Sequence, residues 1–195
     1  NPLMSEAGLK QIQDAVNESG VRVKTICADY FMARPFHSAH TNESEQVLKI
    51  LIENSSRLGV RDIVIPCVDQ SSMKTEEDQK RVVDSISKHL ALADKHGVLI
   101  NFETDLNPQA FENFLARFGS ANVKVNYDVG NSGSLGYSPT EEFAAYGEKI
   151  SDLHIKDRVL GGSSVMLGTG NANFDEVFGL LKKVNFRGHI TMQAS

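Results

Sequence analysis

Three residues of different chemistry occupy equivalent places in this sequence. They are Glu103 in NFETDL, Asp128 in NYDVGN and His154 in DLHIKD, each just where an apolar run gives way to polar residues. Two carboxylates and an imidazole brought together can hold one divalent cation and leave positions open for substrate oxygens. A mixed oxygen and nitrogen set suits Mn²⁺, Mg²⁺, Co²⁺ or Zn²⁺, and ligand type alone does not choose among them. Each residue also has a plainer reading, in which a strand-end acid caps the next helix or pairs with a loop lysine. Recurrence in three successive segments favours a shared site.

The elements that must position these residues follow from hydrophobic period. Leu9, Ile12 and Val16 recur at helical spacing until Ser19-Gly20, and VRVKTICADYF then reads as a strand. Val47, Leu48, Leu51 and Leu58 mark a helix ending at Gly59, followed by DIVIPCVD, apolar enough for a strand buried on both faces. Val82, Val83, Ile86, Leu90 and Ala93 predict one helix closed by Gly97, with VLINFETDL as the third strand. Asn107-Pro108 and Ser138-Pro139 each place a cap before a proline that fits the first helical position. VKVNYDVGN, ISDLHIKD and GHITMQAS are the fourth, fifth and sixth strands, and Phe174 to Val184 is the last helix.

Strands alternating with helices at βαβ spacing predict an α/β fold with a parallel sheet, read as one domain over residues 1–195. Neither GxGxxG nor GxxxxGK[ST] occurs, which weighs against an open nucleotide-binding sheet. Polar residues instead end many strands: Asp29, Asp69, Glu103, Asp128, His154 and Gln193. A (β/α)8 TIM barrel places its chemistry there, because its strand ends converge on one mouth. Six of eight strands are counted, so the expectation is an incomplete barrel lacking its N-terminal strands and last helix.

Composition narrows the partner. With 20 Lys and Arg against 25 Asp and Glu, the net charge of −5 offers no basic stripe for a nucleic-acid backbone. No run approaches the roughly 18 apolar residues of a membrane span, and NPLMSEAGLK lacks the regions of a signal peptide. A soluble, cytoplasmic protein with a small-molecule partner is expected, and a homo-oligomer is compatible with it. Cys27 and Cys67 lie in apolar runs and are read as core thiols.

NFETDLNP, NYDVGNSGSLGYSP, DLHIKDR, GTGNANF and FRGHITMQ, in this order, resemble the successive blocks of the sugar phosphate isomerase/epimerase family, the xylose isomerase-like barrels. The resemblance implies one divalent metal held by a Glu, an Asp, a His and a last Glu. The first three match Glu103, Asp128 and His154, and the fourth position is Gln193. It also implies a metal-dependent isomerase or epimerase of a ketose or sugar phosphate, working through an enediolate. In the family's epimerases two glutamates exchange protons on opposite faces of the substrate. Glutamine can offer an oxygen to a metal but cannot carry a proton. Gln193 therefore puts two-base epimerisation in doubt and leaves isomerisation, with Glu103 as single base, open beside it. A sugar dehydratase and a non-catalytic sugar-binding barrel are the alternatives. A DNA-repair endonuclease of this fold fits poorly with an acidic chain.

Further site residues are expected around this core. Alternation puts Lys156 on the face of His154, where it is assigned to catalysis and to substrate oxygens, while Asp157 points away to a framework role. Arg158 is assigned to substrate, although it also reads with Lys156 as a solvated pair. Asn131, where many relatives carry a second histidine, is assigned to a substrate oxygen. His37 and His40, in ARPFHSAHTN, can reach over the mouth, where His37 is assigned to substrate, can bind a metal at their spacing of three, or can simply be exposed. GGSSVMLGTGNANF reads as a mobile loop, with an amide nest for phosphate around Gly168 to Gly170 as its sharper form.

Overall fold

Left-handed glycines end helices at the positions their sequence spacing suggests. In the computed structural model, which describes residues 1–193, helix α1 (Glu6–Ser19) stops at Gly20 with φ 72°. Strand β1 (Thr25–Cys27) follows, then the short α2 (Tyr30–Ala33), α3 (Thr41–Arg57), strand β2 (Asp62–Cys67), α4 (Glu76–Ser87) and α5 (Leu90–His96). Gly97, with φ 65°, closes α5. Next come β3 (Leu99–Thr104), α6 (Pro108–Ala116), β4 (Val123–Asp128), α7 (Val129–Leu135), α8 (Pro139–Tyr146) and β5 (Ile150–Ile155). The short strands β6 (Asp157–Arg158) and β7 (Ser164–Val165), α9 (Phe174–Lys183) and β8 (His189–Met192) complete the order.

The chain divides into two compact units, residues 1–100 with 120–122 and residues 101–119 with 123–195. In the first unit β1 and β2 pair in parallel, Ile26 opposite Ile63. Leu48, Ile52, Ile63, Ile65, Val82 and Ile86 are fully buried there. In the second, which begins within β3 at Asn101, the strand order is β3-β4-β5-β8. Asp128 lies opposite His154, and His154 opposite Thr191, again in parallel. Its core is aromatic: Phe102 packs edge-on against Phe114 at 5.1 Å and Phe111 against Tyr146 at 4.9 Å. Strands buried on both faces, such as β2, are what covering helices require. No helix among the described residues is long and apolar enough to cross a membrane.

Several expectations are corrected. The strand expected over residues 21–31 keeps three residues, because Asp29 and Tyr30 turn the backbone into α2. Cys67 is buried but Cys27 is exposed, on the end strand of the sheet, its Sγ 3.1 Å from Asp29 Oδ1. The helix expected across Val82 to Ala93 breaks at His89, whose amide donates to Ile86 O in a tightened last turn, and restarts at Leu90. The fourth strand ends at Asp128, and the VGN expected to extend it opens α7. The sixth strand ends at Met192, and its expected last two residues lie outside the described residues.

Candidate metal centre

Alternation along β3, β4 and β5 aims Glu103, Asp128 and His154 to one side, and the parallel register sets Asp128 level with His154. One ligand atom from each lies within 4.8 Å of the others. All three are buried, at 6%, 4% and 3% exposure. His154 Nδ1 is 3.5 Å from Glu103 Oε2 and 3.9 Å from Asp128 Oδ2.

Amides grip the glutamate from both sides. Asn131 Nδ2 donates to Glu103 Oε1 at 2.6 Å, and Asn126 Nδ2 donates to Oε2 at 2.7 Å. Asn126 Nδ2 also lies 3.1 Å from His154 Nδ1. Asp128 fulfils both of its plainer readings at once. Its Oδ1 accepts from the Asn131 amide at 2.8 Å and caps α7, while its Oδ2 is 3.0 Å from Lys156 Nζ. Helix α7, VGNSGSL, is built of small residues because its neighbours come close. A Cβ on Gly130 would stand 2.8 Å from the Lys156 carbonyl oxygen, and one on Gly133 2.9 Å from the Ala172 amide nitrogen.

The electrostatics show surplus negative charge. Burial, and after it the charge of Glu103, pushes the Asp128 pKa up against the pull of Lys156. Burial works to lower the His154 pKa, but the hydrogen bond and charge of Glu103, with Asp128 and Asp152, outweigh it and hold the imidazole above its ordinary value. Both shifts favour extra protons on a buried, acid-rich cluster, the condition a divalent cation relieves. The donor set therefore fits such an ion.

A family description, xylose isomerase-like TIM barrel, matches residues 1–194. The chain belongs to this family. It is 25% identical to a probable L-ribulose-5-phosphate 3-epimerase of Mycoplasma pneumoniae over 88% of its length, and spans 59% of that relative. It is 26% identical to a putative L-ribulose-5-phosphate 3-epimerase of Haemophilus influenzae over 91% of its length, and spans 68% of it. Among solved structures, a xylose isomerase domain protein from Planctomyces limnophilus superposes over 98% of this chain and 78% of its own, with TM-score 0.82 and 17% identity. A D-allulose 3-epimerase from Methylomonas sp. superposes over 100% of this chain and 70% of its own, with TM-score 0.76 and 18% identity. At these identities the superpositions speak for the fold.

The remaining expected site residues of this xylose isomerase-like barrel fall into different settings. The Gln193 amide donates to Ile155 O at 3.0 Å, which carries the β5–β8 register one step on and sets Gln193 beside Lys156, on the face of His154. Asn131 and Arg158 are engaged within the protein. Arg158 Nη1 donates to Asn131 Oδ1 at 2.8 Å, and its Nε and Nη2 donate to Gly162 O at 3.0 and 2.8 Å. His37 lies in the first unit, between α2 and α3, its backbone oxygen accepting from Arg81 Nη1 at 3.2 Å. Burial holds its imidazole below the ordinary pKa against the pull of Asp78. His40 lies beside Arg34 and Glu43 in the same unit.

The glycine-rich stretch is a hydrogen-bonded structure. The β6–β7 hairpin pairs Asp157 with Val165. The expected amide nest is there, but its anion is the protein's own: Asp157 accepts from Gly168, Gly170 and Ala172 at 2.9, 2.8 and 3.0 Å. Asn126 is the site residue that sequence reading missed. Its signal was alternation, since it stands two residues before Asp128 on the same face of β4.

Proposed function

We propose that this chain carries the catalytic site of an epimerase or isomerase of a ketose or ketose phosphate. In this reading Glu103, Asp128 and His154 hold one divalent ion and Glu103 moves a proton at the carbon beside the carbonyl. The observation that carries it is the gathering of ligand atoms from three buried residues within 4.8 Å of one another. When bound, the ion supplies Lewis-acid chemistry, polarising the carbonyl and favouring the negative charge of an enediolate.

The residues do the rest. Glu103 takes the proton, its orientation set by Asn126 and Asn131 so that the carboxylate does not have to search for the substrate. Lys156, charge-balanced by Asp128, offers N–H groups to a substrate oxygen. Gln193 stands at the fourth position with an amide oxygen. Inversion needs a second proton carrier on the opposite face, whereas a shift between neighbouring carbons needs one. The names of the curated relatives support a ketose phosphate inverted at C3, and the amide at Gln193 supports the one-base reaction. Product analysis separates the two.

The test uses full-length protein with Mn²⁺ and a panel of pentuloses, hexuloses and their phosphates in deuterated water. Deuterium entering beside the carbonyl, and ceasing on chelation of the metal, is the expected result. A C3 epimer as product makes it an epimerase and an aldose makes it an isomerase. Sugar binding without exchange across the panel, or no Mn²⁺ bound, overturns the proposal.

A further inference from the structure

We infer that Arg158 and Asn131 form a positioning relay for Glu103, through which the β6–β7 hairpin sets the orientation of the proposed base. The inference rests on the proposed function above. Asn131 uses both ends of its side chain inside the protein: Oδ1 accepts from Arg158 Nη1 at 2.8 Å and Nδ2 donates to Glu103 Oε1 at 2.6 Å. An amide whose oxygen is polarised by a guanidinium is a stronger N–H donor, so the charge of Arg158 is felt at Glu103 through a neutral link. The Asn131 backbone amide also holds Asp128 Oδ1, which places one residue on two of the three ligands.

Arg158 is in turn fixed. Its Nε and Nη2 grip Gly162 O, and Gly162 is held in the hairpin turn by its own amide to Val159 O at 2.9 Å. The turn is tied to α7 by the Gly161 amide, which donates to Ser134 O at 2.7 Å. The Asn171 amide donates to Arg158 O at 2.8 Å, and Asn171 Oδ1 accepts from Leu160 N at 2.8 Å. A guanidinium waiting for a substrate anion would present its planar fork to the site. Here Nε, Nη1 and Nη2 each already donate to a protein oxygen. The planar fork reaches Gly162 O and Asn131 Oδ1 with three nitrogens in one fixed geometry, which an ammonium on a flexible stem does not reproduce. Arg158 therefore acts through Asn131 and is a positioning residue.

The test measures kcat, KM and Mn²⁺ affinity, the last from the free Mn²⁺ electron paramagnetic resonance signal, for Arg158→Gln, Arg158→Lys, Asn131→Ala and the Arg158→Gln/Asn131→Ala double variant. With the relay broken, kcat falls about 30-fold while KM stays within about twofold. Mn²⁺ binding weakens about tenfold, as for other groups that orient a ligand. Arg158→Lys fails to rescue, and the double variant is no worse than Asn131→Ala, because both changes break one chain. A raised KM at unchanged kcat and unchanged Mn²⁺ affinity, rescued by Arg158→Lys, would make Arg158 a substrate contact and overturn the relay. Additive losses in the double variant overturn it too. If Arg158→Gln does not fold, Arg158→Lys decides by the same readouts: a fall in kcat and Mn²⁺ affinity at near-constant KM supports the relay, and unchanged kcat and Mn²⁺ affinity overturn it. A wild-type protein that neither binds Mn²⁺ nor exchanges overturns the proposed function, and the relay with it. A wild type that does both beside unaffected variants overturns the relay alone.

Discussion

The two units end their strands on similar sequences with different outcomes. In the first, Asp29 and Asp69 follow apolar strands and both are exposed, Asp69 at φ 51° in a turn and Asp29 beside the Cys27 thiol. In the second, Glu103, Asp128 and His154 follow apolar strands and are buried together. The residue two places earlier separates the cases. It is Cys27 and Cys67 in the first unit, and Asn101, Asn126 and Asp152, all buried, in the second. A strand-end acid is thus not enough to make a site. A polar layer on the same face beneath it, able to hold such a side chain in a buried place, is what gathers strand-end groups into one buried cluster.

The largest test of that contrast is Glu103→Gln. The change keeps the shape and hydrogen-bonding reach of the side chain but removes the proton carrier. Deuterium exchange should fall about 1,000-fold, the range of general-base catalysis. Single-turnover exchange read by mass spectrometry measures it. Exchange retained within about tenfold would separate the buried cluster from the chemistry and break the comparison.

Asp157 shows a third fate for an acid near a strand end, and the next largest effect. Its carboxylate is buried and takes three backbone amides. Burial works to raise its pKa, but the amides of Gly170, Ala172 and Gly168 prevail and hold it below the ordinary value. Asp157→Ala leaves those donors without their acceptor and should cost about 3 kcal/mol in urea unfolding at pH 7. A lowered folded pKa adds stability that is present above the unfolded value of about 3.9 and lost as pH falls through the folded value. The wild type should therefore lose stability on acidification in this window, and Asp157→Asn should lack that component of the slope. An equal slope in both proteins would assign the acid sensitivity to other carboxylates.

Much of this was legible beforehand because it depends on local physics. Asn107 caps α6 as its sequence implies, its Oδ1 accepting from Ala110 N at 2.9 Å. The gathering of Glu103, Asp128 and His154 follows from alternation and strand ends. Helix α7 was hidden because VGNSGSL has poor helix propensity. It forms through the Asp128 cap, and Gly130 and Gly133 admit the neighbouring backbones that pack on it. The glycine-rich stretch read as mobile because composition says what a backbone can do, not where its amides go. Its hydrogen bonds depend on Asp157, Ser134 and Asn131, which come near only in the fold. The assignment of Asn131 and Arg158 to substrate has the same origin. Sequence shows their donors but not the protein oxygens that Arg158 Nε, Nη1 and Nη2 and Asn131 Nδ2 reach in the fold.

The smallest expected effect is the one that most sharply tests the comparison. Asp29→Asn and Asp69→Asn remove strand-end carboxylates like those of the second unit, at positions that are exposed. Exposed charges are well solvated and screened, so stability should change by less than about 0.5 kcal/mol. Mn²⁺ affinity and exchange rate should stay within about twofold. Unfolding midpoints and the same Mn²⁺ titration check both. A tenfold loss of Mn²⁺ binding in either variant would mean that strand-end acids act without a buried polar layer beneath them, and Asn126 would then not be what separates the two units.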